Sequence, residues 1–309
     1  MMCRIGRYLA AHGISAAVMM LPYHLLRCPL GDFPARHYLS ADSRTVQQTF
    51  AQARSDVSTV VTWLISQPET DSTRIGIFGI SLGAIVTHLA MGTDSRINAG
   101  VAALGGGDMP YLARSSILFR MNHPGHAPGL LPGDINRLDS VDPLTSAAAN
   151  QPRHVLMIQA ARDSIIPPRS ATELWEALGK PPITWVDTGH FMAQADQDGL
   201  MRTALDYFAT TWSLPNAPKQ MRTSLNPPTV TVGLAFGPAT GVTPEISWLA
   251  IPIGRKADHT TLLHLDLGLG FCGPFADLAI TLHPLIDLGY AHNLISGTEG
   301  LYVSLHVTL

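Results

Sequence analysis

The stretch from Arg74 to Ala90, RIGIFGISLGAIVTHLA, constrains the fold of this chain more than any other. An apolar run of strand length, Ile75 to Ile80, is broken by Gly79-Ile80-Ser81-Leu82-Gly83, and apolar residues then resume at helical spacing. The pattern predicts a buried strand, a sharp turn and a helix, with Ser81 at the apex. Two flanking glycines leave room where the helix folds back over the strand. Such a turn pushes a hydroxyl out at the carboxyl end of a sheet, and the helix that follows aims its amide-rich end at the same spot.

Similar units lie on either side. Residues 3–12 read as a helix stopped by Gly13, and Ile14 to Leu21 is an apolar run of strand length closed by Pro22. From Ala41 to Ser66 the apolar residues Val46, Phe50, Ala53, Val57, Val61 and Leu64 keep a helical period, with Ser40 as the expected N-cap. Further strands are expected at Ile97–Leu104, His154–Ala161 and Ile183–Val186, with helices at Arg169–Leu178 and Leu200–Trp212. Strands alternating with helices imply a parallel sheet covered on both faces, with its ligand site at the strands' carboxyl ends. Residues 109–146 lack clear periodicity and read as a cap-like insertion over those ends, with a short helix expected between Tyr111 and Met121.

The texture changes after residue 213. Prolines at 215, 218, 227 and 228 mark a linker over 214–228. From 229 to 309 apolar and polar or small residues alternate, as in Leu263, Leu265, Leu267 and Leu269 against His264, Asp266 and Gly268, or Leu301, Val303, Leu305 and Val307 against Tyr302, Ser304 and His306. Period two over eight to ten residues means half-buried antiparallel strands, about five or six of them. Two arrangements fit: a small sandwich or barrel packed in water, and part of an outer-membrane-type barrel, so membrane association of 229–309 is one expectation.

Composition narrows the function. Charged residues make up 14% of the 309-residue chain against 46% hydrophobic, which implies an extensive core, an apolar partner or a membrane. A net charge of −3 with no basic stripe gives no reason to expect nucleic acid. Three scattered cysteines, Cys3, Cys28 and Cys272, suit neither a disulfide framework nor a cysteine-based zinc site. No metal site or cofactor fingerprint is found; His123 and His126 lack metal-ligand companions. No apolar run reaches the 18 residues of a membrane helix, and no secretory leader is visible. The default location is cytoplasmic, or a bacterial envelope if a leader lies upstream.

A serine hydroxyl becomes a useful nucleophile only when a base takes its proton and a third group orients that base. Asp163 falls just beyond the strand at 154–161 and His190 just beyond the strand at 183–186. The order Ser81, Asp163, His190, with Gly79-Ile-Ser-Leu-Gly83, Ala161-Arg-Asp163-x-x-x-Pro167 and Asp187-Thr-Gly-His190, resembles the α/β-hydrolase-fold serine esterases, nearest the dienelactone hydrolase and acetyl-esterase branch. Ala160 stands where that family often has glycine. The resemblance implies a nucleophile at Ser81, a general base at His190 and an orienting carboxylate at Asp163. It also implies half of an oxyanion hole at the Leu82 amide and a small-molecule ester as substrate. Asp187 is the alternative orienter, or a turn cap. His24, with Tyr23, is expected to line the pocket or to fix its own turn by a hydrogen bond. His88, two turns along the helix from Ser81, reads as structural. Gly106, in the glycine run 105–107, suits either a tight turn or a substrate wall.

The resemblance carries one departure. Its members place three strands before the helix seen here at 3–12, and the third lies between the strands matching 14–21 and 75–80 and supplies the second oxyanion donor. The expected architecture is therefore an α/β-hydrolase-type, mostly parallel sheet over 1–213 that lacks its first strands, followed by a small antiparallel all-β domain. The missing strand is expected upstream of the first residue, unless the hydrolase is degraded or a C-terminal strand fills the gap.

Overall fold

A computed structural model describes residues 2–122, 131–151, 153–215, 225, 230–255, 261–270, 273–283 and 286–308. His123, His126, Cys272 and most of the proline-rich 214–228 stretch lie outside the described residues. The chain divides into two compact units: 1–158, 165–184 and 197–225 form the first, and 159–164, 185–196 and 226–309 the second.

The first half of the chain builds α1 (Met2–Ala11), α2 (Ser43–Ile65), β1 (Gly76–Ile80), α3 (Leu82–Thr93) and β2 (Ala99–Ala103). The 23-residue α2 presents Val46, Phe50, Ala53, Val57 and Val61 as one buried stripe, which shares a core with Ile85, Val86 and Leu89 of α3. Each of these side chains except the single methyl of Ala53 contributes about 1.5–3 kcal/mol when fully removed from water. The N-cap of α2 is Asp42, not Ser40: its carboxylate accepts from the amides of Arg44 and Thr45. The two residue types cap about equally well, and at Asp42 a charged acceptor also meets the positive end of the helix.

Next come α4 (Met109–Ser115), α5 (Ile117–Asn122), α6 (Pro132–Asp139) and α7 (Pro143–Asn150), then β3 (His154–Ala160), α8 (Pro168–Ala177), β4 (Ile183–Val186), α9 (His190–Ala195) and α10 (Gln197–Thr211). The stretch expected as an insertion with one short helix between Tyr111 and Met121 carries two helices there, α4 and α5, and two more, α6 and α7, among its described residues, each too brief to show a period. Leu112, Leu138 and Val141 from it are buried in the same core as α2 and α3. The helix α9 had no sequence signal.

The sheet runs β1-β2-β3-β4. The β1–β2 and β2–β3 pairs are parallel, with Phe78 opposite Val101 and Val101 opposite Leu156. All five residues of β2 are buried. Among the described residues no strand from 230–308 joins this sheet, so the alternative in which a C-terminal strand fills the gap is not found there. The expected strand at Ile14–Leu21 is not formed either: these residues carry no ladder, and Val18 and Met20 are exposed. A strand is held by a neighbour's backbone, and among the described residues β1 pairs with β2 alone.

The C-terminal strands are β5 (Thr231–Gly237), β6 (Gly241–Arg255), β7 (Thr261–Gly270), β8 (Gly273–His283), β9 (Ile286–Asn293) and β10 (Glu299–Thr308). They close into an antiparallel barrel in the order β10-β5-β6-β7-β8-β9. No described helix is long and apolar enough to cross a membrane.

Candidate active site

Ser81 sits where the sequence puts it, between β1 and α3. Its backbone is held at φ 56° and ψ −119°, a conformation that costs an L-residue energy and persists only under surrounding constraint. The Ser81 amide donates to the Ala103 carbonyl at 2.8 Å, tying the turn to the end of β2, while the Ser81 carbonyl accepts from Ala84 at 2.8 Å and opens the helix. The two flanking glycines play different parts. A side chain on Gly79 would meet the Gly83 carbonyl oxygen at 2.0 Å, whereas one on Gly83 would meet nothing within 4 Å. Close approach of helix to strand therefore falls on Gly79. Leu82 begins α3, so its amide is among those a helix leaves unpaired at its start.

Asp163 and His190 are brought together by adjacent strand ends. Beyond β3 and β4 the pairing continues as the Ala161 amide donates to Val186 at 2.8 Å and the Arg162 amide to Thr188 at 3.0 Å. Asp163 and His190 follow directly, and His190 Nδ1 lies 2.6 Å from Asp163 Oδ2, with both side chains at most 3% exposed. A carboxylate only accepts, so Nδ1 carries the proton and donates, and Nε2 carries the lone pair a general base needs.

Asp187, weighed as the alternative orienter, instead pairs with Arg162: Nε to Oδ1 is 2.9 Å, with side-chain exposures of 4% and 14%. This ion pair flanks the His190–Asp163 pair in sequence on both strands. Sequence reasoning did not single out Arg162, although its place next to Asp163 was a usable signal.

Other candidates have structural partners. His24 Nδ1 bonds the Pro22 carbonyl at 3.0 Å, the turn-fixing contact named as the alternative to pocket lining, and its ring tilts against Tyr38. Tyr23, at φ 58°, stacks on His37 with centroids 3.7 Å apart. Gly106 is buried, and any side chain there would strike Ser170 Oγ, so a residue without a side chain is needed for the tight packing at this point. Asp142, which drew no attention in the sequence, accepts from the amides of Asp108, Met109 and Leu144 and pins the glycine run to the start of α7. Burial raises its pKa to about 6.

His88 is fully buried, and neither ring nitrogen has a hydrogen-bond partner among the described residues. Burial alone pushes its pKa down to about 4, because a charged ring there would lose its hydration. The folded state thus holds His88 neutral while the unfolded chain binds a proton from about pH 6.5 downward. Stability from this group is complete above pH 6.5 and is lost as pH falls toward 4, by roughly 3 kcal/mol in all. In His88→Leu the pH profile of exchange protection at α3 amides is expected to lose this contribution, so that the variant gains on the wild type as pH falls toward 4; identical profiles would refute the assignment.

Residues 45–211 match the sequence profile of the prolyl oligopeptidase family. No curated protein matches the chain. Among solved structures, an acylaminoacyl peptidase of Pyrococcus horikoshii aligns at 18% identity over 59% of this chain and 31% of its own, with a TM-score of 0.47. A puromycin hydrolase aligns at 19% over 54% and 26%, with a TM-score of 0.46. An esterase of Pyrococcus furiosus aligns at 17% over 52% and 62%, with a TM-score of 0.41. The chain spans about a quarter of the puromycin hydrolase and a third of the acylaminoacyl peptidase. The family match does not single out the dienelactone hydrolase and acetyl-esterase branch that the motifs resemble.

Proposed function

Because this chain belongs to the prolyl oligopeptidase family of serine hydrolases, we propose that it cleaves a carboxylic ester or small acyl group through an acyl-enzyme on Ser81. The observation that carries the reading is the buried, charge-assisted pair of His190 and Asp163, an arrangement that sets an imidazole in the tautomer of a general base. The strained backbone at Ser81, at a strand-to-helix turn, is the second support.

In this mechanism Ser81 Oγ attacks the acyl carbon as His190 Nε2 takes its proton. The developing oxyanion is met by the Leu82 amide, and the imidazolium is stabilised by Asp163. His190 then gives the proton to the leaving alkoxide, so one alcohol departs and the acyl group stays on Ser81. A water, deprotonated by the same nitrogen, attacks the acyl carbon, releasing the acid and restoring the serine. The choice between an ester and a peptide bond rests on the leaving group: a peptide nitrogen must be protonated to depart, an alkoxide much less so.

A fluorophosphonate probe on the full chain is expected to label one serine, and Ser81→Ala to lose that label with the fold intact by circular dichroism. A folded protein that does not label would refute the reading. It would favour an impaired hydrolase whose C-terminal strands carry the function, an alternative supported by β1 having a described strand partner on one side only.

A further inference from the structure

The barrel of β5–β10 is turned inside out relative to a barrel folded around an apolar core. Its inward positions hold His264, Asp266, Asp277, Asp287, Ser304 and His306, each at most 7% exposed. His264 lies between two carboxylates, 2.7 Å from Asp266 and 3.4 Å from Asp287, and His306 is 3.6 Å from Asp287. Oδ1 of Asp266, Oδ1 of Asp287 and His306 Nε2 have no hydrogen-bond partner among the described residues. Burying ionic groups this way costs free energy that their mutual attraction at best offsets. The apolar part of the interior is small, chiefly Ala235, Phe275, Ala279, Ala291 and Tyr302. The inside of the barrel therefore does not supply the burial that drives folding.

The apolar side chains are outside, on every strand. Leu234 of β5, Ile246 of β6, Leu265 of β7, Leu278 of β8, Leu288 of β9 and Leu305 of β10 are each 41–46% exposed. The register aligns them into rows that run around the wall: Leu265 faces Leu278, Leu278 faces Tyr290, and Tyr290 faces Leu301. Among the described outward positions of β5 and β7–β10, the ionisable side chains besides Tyr290 are His292 and Glu299. These two are paired at 3.3 Å at one rim beside the 294–298 turn. Tyr290 lies next to that rim, with its hydroxyl in reach of the Glu299 carboxylate, so apolar wall gives way to polar rim at an aromatic ring. Exposed apolar side chains on all six strands, aligned in continuous rows, are what a surface facing water rarely carries.

We propose that β5–β10 are embedded in a lipid bilayer, with the leucine rows against acyl chains and the His264–Asp287 network inside. The closure of the wall selects the occupant. A partner protein or a second copy covers one side of a cylinder, whereas apolar residues here cover strands on opposite sides, and only a fluid hydrocarbon surrounds all of them. Strands β7, β8 and β10, of 10, 11 and 10 residues, match the roughly 9–11 residues of a tilted membrane strand. Six strands close more tightly than the eight of the smallest bacterial outer-membrane barrels, and the interior is fitted to that: a side chain at Gly268 would strike the Phe275 ring. The proposal does not rest on the catalytic reading.

The test uses the full chain mixed with vesicles of phosphatidylethanolamine and phosphatidylglycerol. With Cys3, Cys28 and Cys272 replaced by serine, a fluorophore is placed at Leu265→Cys on β7 or at Leu305→Cys on β10, three strands away around the ring. The protein is expected to float with the vesicles, and doxyl groups on the acyl chains are expected to quench both positions, while a label at Ile295→Cys in the rim turn is not quenched. Leu278→Arg is expected to lower the vesicle partition constant about thirty-fold or more. A chain that stays monomeric without detergent and does not float overturns the proposal. A dimer that shields one of the two positions without lipid also overturns it, in favour of a second copy.

Discussion

Ser81→Ala is expected to lower kcat/KM toward an activated acyl ester by about 10⁶-fold, and His190→Ala by a similar factor. The double variant is expected to lose no more than either single one, because a hydroxyl without its base and a base without its hydroxyl are equally idle. Asp163→Asn is the informative third member. The carboxylate 2.6 Å from His190 Nδ1 holds the proton on that nitrogen, and a carboxamide is free to present its NH₂ instead. The ring then carries its proton on Nε2 and cannot accept from serine, so a loss of about 10⁴-fold is expected with little change in KM. Asp187→Asn removes a carboxylate that pairs with Arg162 and is expected to cost far less. Steady-state kinetics on the four single variants check the ranking. If Asp187→Asn proves the more damaging of the two aspartate changes, the roles given to Asp163 and Asp187 are wrong.

Gly79→Ala is expected to be the most destabilising single methyl in the hydrolase half. The added carbon would sit 2.0 Å from the Gly83 carbonyl oxygen and 2.6 Å from Thr87 Oγ1, and the first of these is backbone that cannot rotate away. Either α3 lifts from β1, opening the core shared with α2, or the turn at Ser81 rearranges. A loss beyond about 4 kcal/mol follows, at the extreme of what one substitution does. Gly83→Ala is the matched control. It adds the same methyl to open space in the first turn of a helix, where alanine is favoured by about 1 kcal/mol, so stability is expected to hold or rise. Urea midpoints for the pair measure the contrast; equal midpoints would show that the close approach at Gly79 does not constrain the turn.

Much of the site was legible because its parts are local. A turn of five residues writes both its strain and its relief into sequence, and the positions just past β3 and β4 follow from where two apolar runs stop. What misled was context. Ile14–Leu21 has the composition of a buried strand, yet composition does not provide the neighbour whose amides and carbonyls a strand must meet. For the glycines at 105–107 and the Tyr23-His24 turn the sequence left two readings open, pocket wall or tight local packing, and the contacts seen are of the second kind. The partners that decide this, Ser170 for Gly106 and His37 for Tyr23, are distant or unpatterned.

The sequence by itself determined the periods: 3.6 for the helices, two for the C-terminal strands, and the single sharp break at Ser81. Only the tertiary structure decided which side of each period faces in. Alternation of leucine with histidine and aspartate is the same string whether leucine points to a core or to a bilayer, because a strand turned over keeps its pattern. Closing six such strands into one ring removes that ambiguity, since it fixes one face of every strand as the inside, and that face holds the histidines and aspartates while the leucines stay outside. The same holds for Asp163 and Asp187, both carboxylates near His190 in the chain. Which one meets the imidazole depends on the pairing of two strand ends, a contact that no spacing along the backbone records.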